Sequence, residues 1–176
     1  MQLLNSHFKL INAIWFQLVW FAAVLFQNWA VPALVASLLL HWYLSPKRRD
    51  DVILIALIAP IGMAADILIQ ASGLIVFKDG PFPLWLLMLW AHFAVVLNHG
   101  FAWLGRINPW LVGAMGAFSG ASSYFAGAKF GAATLIEPVY VVAAHALMWA
   151  TLLPLFLQIR KRVIRERLPA LFFQGL

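Results

Sequence analysis

The stretch MLWAHFAVVLNHGFAW, residues 88–103, is apolar enough to enter a bilayer yet carries His92, Asn98 and His99. Polar groups at such depth are costly in hydrocarbon and are kept where they face a bundle interior or a wet cavity. The stretch therefore predicts a membrane helix with an inward face. The rest of the chain agrees. Its 176 residues are 64% hydrophobic and 10% charged, whereas a soluble domain carries about a quarter charged residues. Apolar runs recur at 8–26, 29–45, 52–77, 83–104, 109–134 and 138–159, each near the roughly 20 residues that cross a bilayer as a helix. The breaks, QN, PKRRDD, KDGPFP, GRINP and IEP, are turn-forming and charged. The expected fold is an all-α, polytopic six-helix membrane bundle forming one domain over residues 1–168. The tail, 169–176, ends in LFFQGL, which resembles a protease-recognition remnant.

Lys and Arg set the expected orientation. With the N-terminus in the cytoplasm, Lys9, Lys47, Arg48, Arg49, Arg106, Arg160, Lys161, Arg162, Arg165 and Arg167 all fall inside, leaving only Lys78 and Lys129 of the 12 basic residues elsewhere. Both termini are then cytoplasmic, in a bacterial inner membrane. The first run is longer than a signal-peptide core and has no small-x-small cleavage site, so it is expected to be a true helix. The basic run RKRVIRER (160–167) suits topology and anionic lipid heads better than nucleic acid.

The absence of cysteine excludes disulfides, thiolate nucleophiles and cysteine-ligated clusters. HExxH, GxSxG and P-loop motifs are also missing. Asp50 and Asp51 follow a basic run, and are read as balancing it rather than binding metal.

Depth along each run defines a polar set. Asp66 and Gln70 lie just past the middle of the third run; His92 lies in the outer half of the fourth, with Asn98 and His99 in its inner half. Lys129 and His145 lie toward the outside on the fifth and sixth. Asp66 is the only acid well inside a span and is the first candidate for a functional residue. Its candidate partners are His92, His145 and Lys129. A proton shared with a histidine would suit proton coupling; the alternative for Lys129 is snorkelling to the interface.

His92 and His99 share a helix face but stand about 10 Å apart along it, too far to ligate one metal ion. A haem or metal would instead need His92 with His145, or His41 with His99. The plainer reading of each histidine is a hydrogen bond to a neighbouring helix.

The run GAMGAFSGASSYFAGAKFG places Gly113, Gly116, Gly120, Gly127 and Gly131 as a small-residue stripe for close helix packing. The other reading has Ser119, Ser122, Ser123 and Tyr124 lining space for a substrate. Trp29, Trp42, Trp85, Trp103 and Trp110 are expected at the interface, and Trp15, Trp20, Trp90 and Trp149 deeper, packing the bundle. A faint repeat pairs Trp15, Trp20 and Asn28 with Trp85, Trp90 and Asn98, the arrangement of an inverted three-plus-three protein.

PLWLLMLWAHFAVVLNHGFAWL, SYFAGAKFGA and ALMWATLLPLFL, with the earlier WFQLVWFAAVL, resemble a bacterial inner-membrane family of unknown function, DUF2878. The matching positions are His92, Asn98, His99, Ser123, Tyr124 and Gly127. The resemblance implies a roughly six-helix protein with no established reaction, and gene neighbourhoods associated with fatty-acyl modification and oxidative stress. Three functions remain open. The first is binding or transport of a small or amphipathic, lipid-related molecule at the outer polar site, with or without proton coupling. The second is a lipid-modifying membrane enzyme with a histidine base oriented by Asp66. The third is a non-catalytic membrane partner subunit.

Overall fold

The computed structural model describes residues 2–165, with side chains from His7 onward; the 169–176 tail lies outside the described residues. Six helices make up nearly all of it: α1 (Gln2–Phe26), α2 (Val31–Leu44), α3 (Arg48–Ala71), α4 (Leu84–Asn98), α5 (Pro109–Lys129) and α6 (Pro138–Arg165). His7–Leu44, Arg48–Ala71 and Pro138–Arg165 are long and apolar enough to cross a membrane, and Leu84–Asn98 is a shorter apolar helix. Leu10, Leu18, Leu39, Leu68 and Leu147 point outward, which suits a lipid-facing surface. The chain is an all-α membrane protein.

The run His7–Leu44 folds back on itself. Gln27 adopts a positive φ of 47 and opens a short 3₁₀ turn, Gln27–Ala30. Trp15 Nε1 then donates to Ser37 Oγ at 2.8 Å, closing α1 and α2 into an antiparallel pair. Pro32 and Pro109 sit at helix starts, where a missing N–H costs nothing. Asn108 caps α5 by accepting from the Trp110 N–H at 2.9 Å.

Three of the hydropathy runs overshoot their helices. The 52–77 run leaves the helix at Ala71 and the 109–134 run at Lys129. Gly73 (φ 78) and Gly131 (φ 81) follow, turning the chain left-handed in the manner of helix C-caps. Each glycine leads into a short strand, β1 (Ile75–Phe77) or β2 (Ala133–Leu135). The two pair antiparallel, Ile75 opposite Leu135 and Phe77 opposite Ala133. A short apolar run has no periodicity that separates a strand from a last helical turn. The 83–104 run stops being α-helical at Asn98. Gly100 presses on α1, where an added Cβ would stand 3.0 Å from Ala13, and the chain continues as a 3₁₀ turn over Ala102–Arg106.

A repeat is present, though not the inverted one suggested by tryptophan spacing. Helix, left-handed glycine, strand and returning helix occur twice, as α3–Gly73–β1–α4 and α5–Gly131–β2–α6. At one constant spacing, Gly62, Asp66 and Gly73 correspond to Gly120, Tyr124 and Gly131. The antiparallel β1–β2 pair and the Asp66–Tyr124 contact lie between the halves, so an approximate two-fold relates them. Because the paired positions carry mostly different side chains, the letters do not reveal it.

The centre of this four-helix unit is a layered stack. The Trp90 and Trp149 rings lie 5.0 Å apart and 14° from parallel. Gly62 backs Trp90, with an added Cβ falling 2.3 Å from its ring, and Gly120 backs Trp149 at 2.1 Å. Gly116 lets the Trp149 carbonyl approach to 2.5 Å of a would-be Cβ, and Gly113 does the same for the Ala150 carbonyl at 3.0 Å. Three of the five stripe glycines therefore pack α5 on α6. Gly127 meets nothing within 4 Å and Gly131 serves the turn, so neither belongs to that packing. Trp29 and Trp110 are exposed, as interface residues would be, but Trp85 is only 3% exposed and packs on Phe77.

Candidate functional site: two buried acids and an aromatic cavity

Asp66 is 0% exposed. Tyr124 Oη donates to its Oδ1 at 2.6 Å and Trp90 Nε1 to its Oδ2 at 2.7 Å. His145 Nε2 stands 4.0 Å from Oδ1, and its ring stacks on Tyr124 with centroids 3.7 Å apart. The other ring nitrogen, Nδ1, donates to the Val141 carbonyl at 2.8 Å, leaving Nε2 as a bare, buried acceptor with no hydrogen bond. Of the three partners expected for Asp66, the structure brings only His145 near.

His92 faces elsewhere. Its Nδ1 donates to the Met88 carbonyl at 2.8 Å and its Nε2 accepts from Ser37 at 3.0 Å; Ser37 in turn accepts from Trp15. The chain of donors is complete and ties α1, α2 and α4 together. Ser37→Ala removes both bonds and is expected to cost about 1 kcal/mol, at roughly 0.6 kcal/mol for each membrane interhelical bond, read as a drop in thermal stability in detergent. Lys129 is exposed, its ammonium 5.4 Å from the Phe125 ring centre, and does not reach Asp66. Gln70 clips the loop after α3, donating to the Pro81 carbonyl and accepting from the Phe77 N–H. Its role is in the turn.

The second acid is Asp51, which does more than balance the basic run. It is 2% exposed and gathers four side chains. Asn98 Nδ2 donates at 2.6 Å, His99 Nε2 lies at 2.9 Å and His41 Nε2 at 3.3 Å, and the Ser45 hydroxyl also donates to it. Charge at the start of a helix reads as surface. The signal that could have revealed Asp51 is that His41, Asn98 and His99 all lie at its depth on neighbouring helices.

Among the described residues, His41, Asp51 and His99 form the one trio whose ligand-type atoms lie close enough, within 4.8 Å, to share a metal ion. Its surroundings favour hydrogen bonding. Gly100 N–H donates to Asn12 Oδ1 at 3.1 Å, which turns Asn12 Nδ2 toward His41 Nδ1 at 3.5 Å. With Nδ1 accepting, His41 Nε2 carries the proton and aims it at Asp51, whereas a ligating nitrogen needs a bare lone pair and its other nitrogen donating. His92 and His145 engage separate networks and form no such group.

Between α1, α4 and α5 lies a cavity of about 430 Å³ walled by Trp20, Trp90, Phe93 and Trp149. Its place follows from broken symmetry. α3 packs directly on α6, while the related pair, α4 and α5, make almost no direct contact, and α1 covers the gap. Trp20 Nε1 donates to Ser123 Oγ at 2.8 Å, spanning from α1 to α5. Ser119, Ser122, Ser123, Tyr124 and Gly127 all line this space. Tyr124 presents its ring to the cavity and its hydroxyl to Asp66.

No curated protein and no solved structure matches the chain significantly. A family model described as a protein of unknown function, DUF2878, matches residues 9–155. That covers most of the sequence, including Asp51, Asp66 and the cavity, and the chain belongs to the DUF2878 family.

Proposed function

We propose that the chain is a six-crossing protein of the bacterial inner membrane that holds the apolar chain of an amphipathic, lipid-like molecule between α1, α4 and α5. Both termini lie in the cytoplasm in this reading, supported by the basic residues at the start of α1, both turns on that side and the end of α6. The observation that carries the proposal is the aromatic cavity whose polar point, Ser123 and Tyr124, connects to a buried acid. Apolar pockets with a few convergent polar groups are the usual form of a small-molecule site.

Proton exchange follows from the same geometry. A ligand that displaces the Tyr124 ring, which lines the cavity, also moves the hydroxyl that donates to Asp66. Asp66 Oδ1 and His145 Nε2, two acceptors 4.0 Å apart, would then have to close by about 1 Å to share one added proton in a hydrogen bond. The enzyme reading is weaker, because no histidine is among the residues lining the cavity.

Native mass spectrometry of protein released from its own membranes tests this. The wild type is expected to carry one apolar-chain adduct. Gly127→Phe is expected to be bare, since Gly127 lines the cavity and a side chain there meets nothing within 4 Å. Asp66→Asn removes the charge that fixes Tyr124 and Trp90, two rings that line the cavity, and is expected to weaken binding less than Gly127→Phe does. A bare wild type, or an adduct retained by Gly127→Phe, would overturn the proposal.

A further inference from the structure

At the opposite end of the bundle is a second cavity of about 340 Å³, formed where α1, the α2–α3 turn, the 3₁₀ turn after α4 and α6 converge. Its lining contains Lys9, Lys47, Arg106, Arg160 and Lys161 and no carboxylate. Lys47 and Arg160 are half-buried, while Lys9, Arg106 and Lys161 are exposed around them. Asp50 attracts Lys47 and Arg160, and Asp51 attracts Lys47 while it is held by four side chains. Two nearby acids against five cations leave the cavity net positive.

The individual groups say the same. Arg160 uses Nη2 on the Asn98 carbonyl at 3.4 Å, and its buried Nε has no hydrogen bond. Burial, and next the Arg160 guanidinium, hold the Lys47 ammonium below its ordinary value. Like charges brought together in a concave site focus the field and draw in a multivalent anion. Guanidinium forks match the oxygens of a phosphate in particular. Basic pockets between membrane helices on the cytoplasmic side are suited to phosphate head groups.

We propose that this cavity binds a phosphate-bearing ligand, with Arg160 and Lys47 at its base and Lys9, Arg106 and Lys161 around it. The site is separate from the aromatic cavity and does not depend on what that cavity holds. A lipid head group and a soluble molecule both offer this phosphate, and one experiment distinguishes them.

Gly105 provides the variant. It lines the cavity, and an added Cβ would meet Lys161 Cε at 3.5 Å and Arg160 Nη1 at 3.8 Å, ordinary contact distances. Gly105→Ala is therefore tolerated, and Gly105→Glu places a competing carboxylate inside. The full chain is reconstituted in phosphatidylcholine nanodiscs and titrated with inorganic phosphate in one arm. In the other, the discs contain increasing phosphatidic acid, with bound mass and thermal shift as readouts. Wild type and Gly105→Ala are expected to bind one phosphate group, and Gly105→Glu about tenfold more weakly. Arg160→Gln is expected to weaken binding alike and guards against misfolding of Gly105→Glu. Saturation by inorganic phosphate identifies a soluble ligand class, and saturation by phosphatidic acid alone identifies a lipid head. Gly127→Phe is expected to bind as wild type, which separates this site from the proposed function. Equal binding by wild type, Gly105→Glu and Arg160→Gln, or no binding in either arm, would overturn the proposal.

Discussion

Asp51→Ala is expected to destabilise the protein by about 3–5 kcal/mol, the cost of removing one partner from a buried charged network. The carboxylate is the point at which α2, α3 and the end of α4 meet. Without it, Asn98, His99, His41 and Ser45 lose a shared acceptor in a space that is almost closed to water. Buried donors left unpaired cost about 1–3 kcal/mol each when nothing replaces the partner, and partial relaxation keeps the total below their sum. Asp51→Asn retains one acceptor oxygen and is expected to fall between Asp51→Ala and the wild type. Denaturation in detergent micelles, followed by tryptophan fluorescence, reads the difference. An Asp51→Ala midpoint no lower than that of Lys129→Ala, which removes an exposed cation, would refute this account.

Gly62→Ala is expected to cost about 1–3 kcal/mol, the usual penalty of overpacking, and to disturb Asp66 as well. The added carbon would lie 2.3 Å from the Trp90 ring. That ring cannot retreat, because Trp149 stacks on its other face and Gly120 closes the far side. Displacing Trp90 also pulls its indole N–H from Asp66, now 2.7 Å away. The same change at Gly127, which has open space around it, is expected to be nearly neutral. Thermal midpoints of the two variants, measured side by side, check the contrast; equal midpoints would show that the stack is looser than described.

Asp66 was legible from sequence because a lone acid in an apolar run has few alternatives to an inward-facing, partnered position. Its donors were harder to find. Trp90 and Tyr124 come from helices distant in the chain, and both read as ordinary aromatic residues of a membrane span. His92 misled for a related reason: depth placed it level with Asp66, but rotation about α4 points it at Ser37 on α2. Asp51 was hidden by the arginines before it, which gave it an obvious partner in sequence that it does not use in space. The helices themselves followed from hydropathy, except where apolar residues leave a helix through a glycine and continue as strand. The aromatic cavity was legible on one wall only, where Ser119, Ser122, Ser123 and Tyr124 were read as lining space for a substrate; the space itself exists through a separation of α4 from α5 that no residue encodes alone.

The approximate two-fold through α3–α4 and α5–α6 bears on how such a protein arises. A dimer of one half would bring two copies of the same residue to the axis, where Asp66 and Tyr124 now meet. Two carboxylates there would repel, and two phenols would offer no buried charge. Joining the halves in one chain frees the two positions to diverge, so that an acid can face its donor. The same divergence allowed one seam to stay shut while its counterpart opened. On this view the acid and the cavity have one structural origin: both occupy places where the two halves differ.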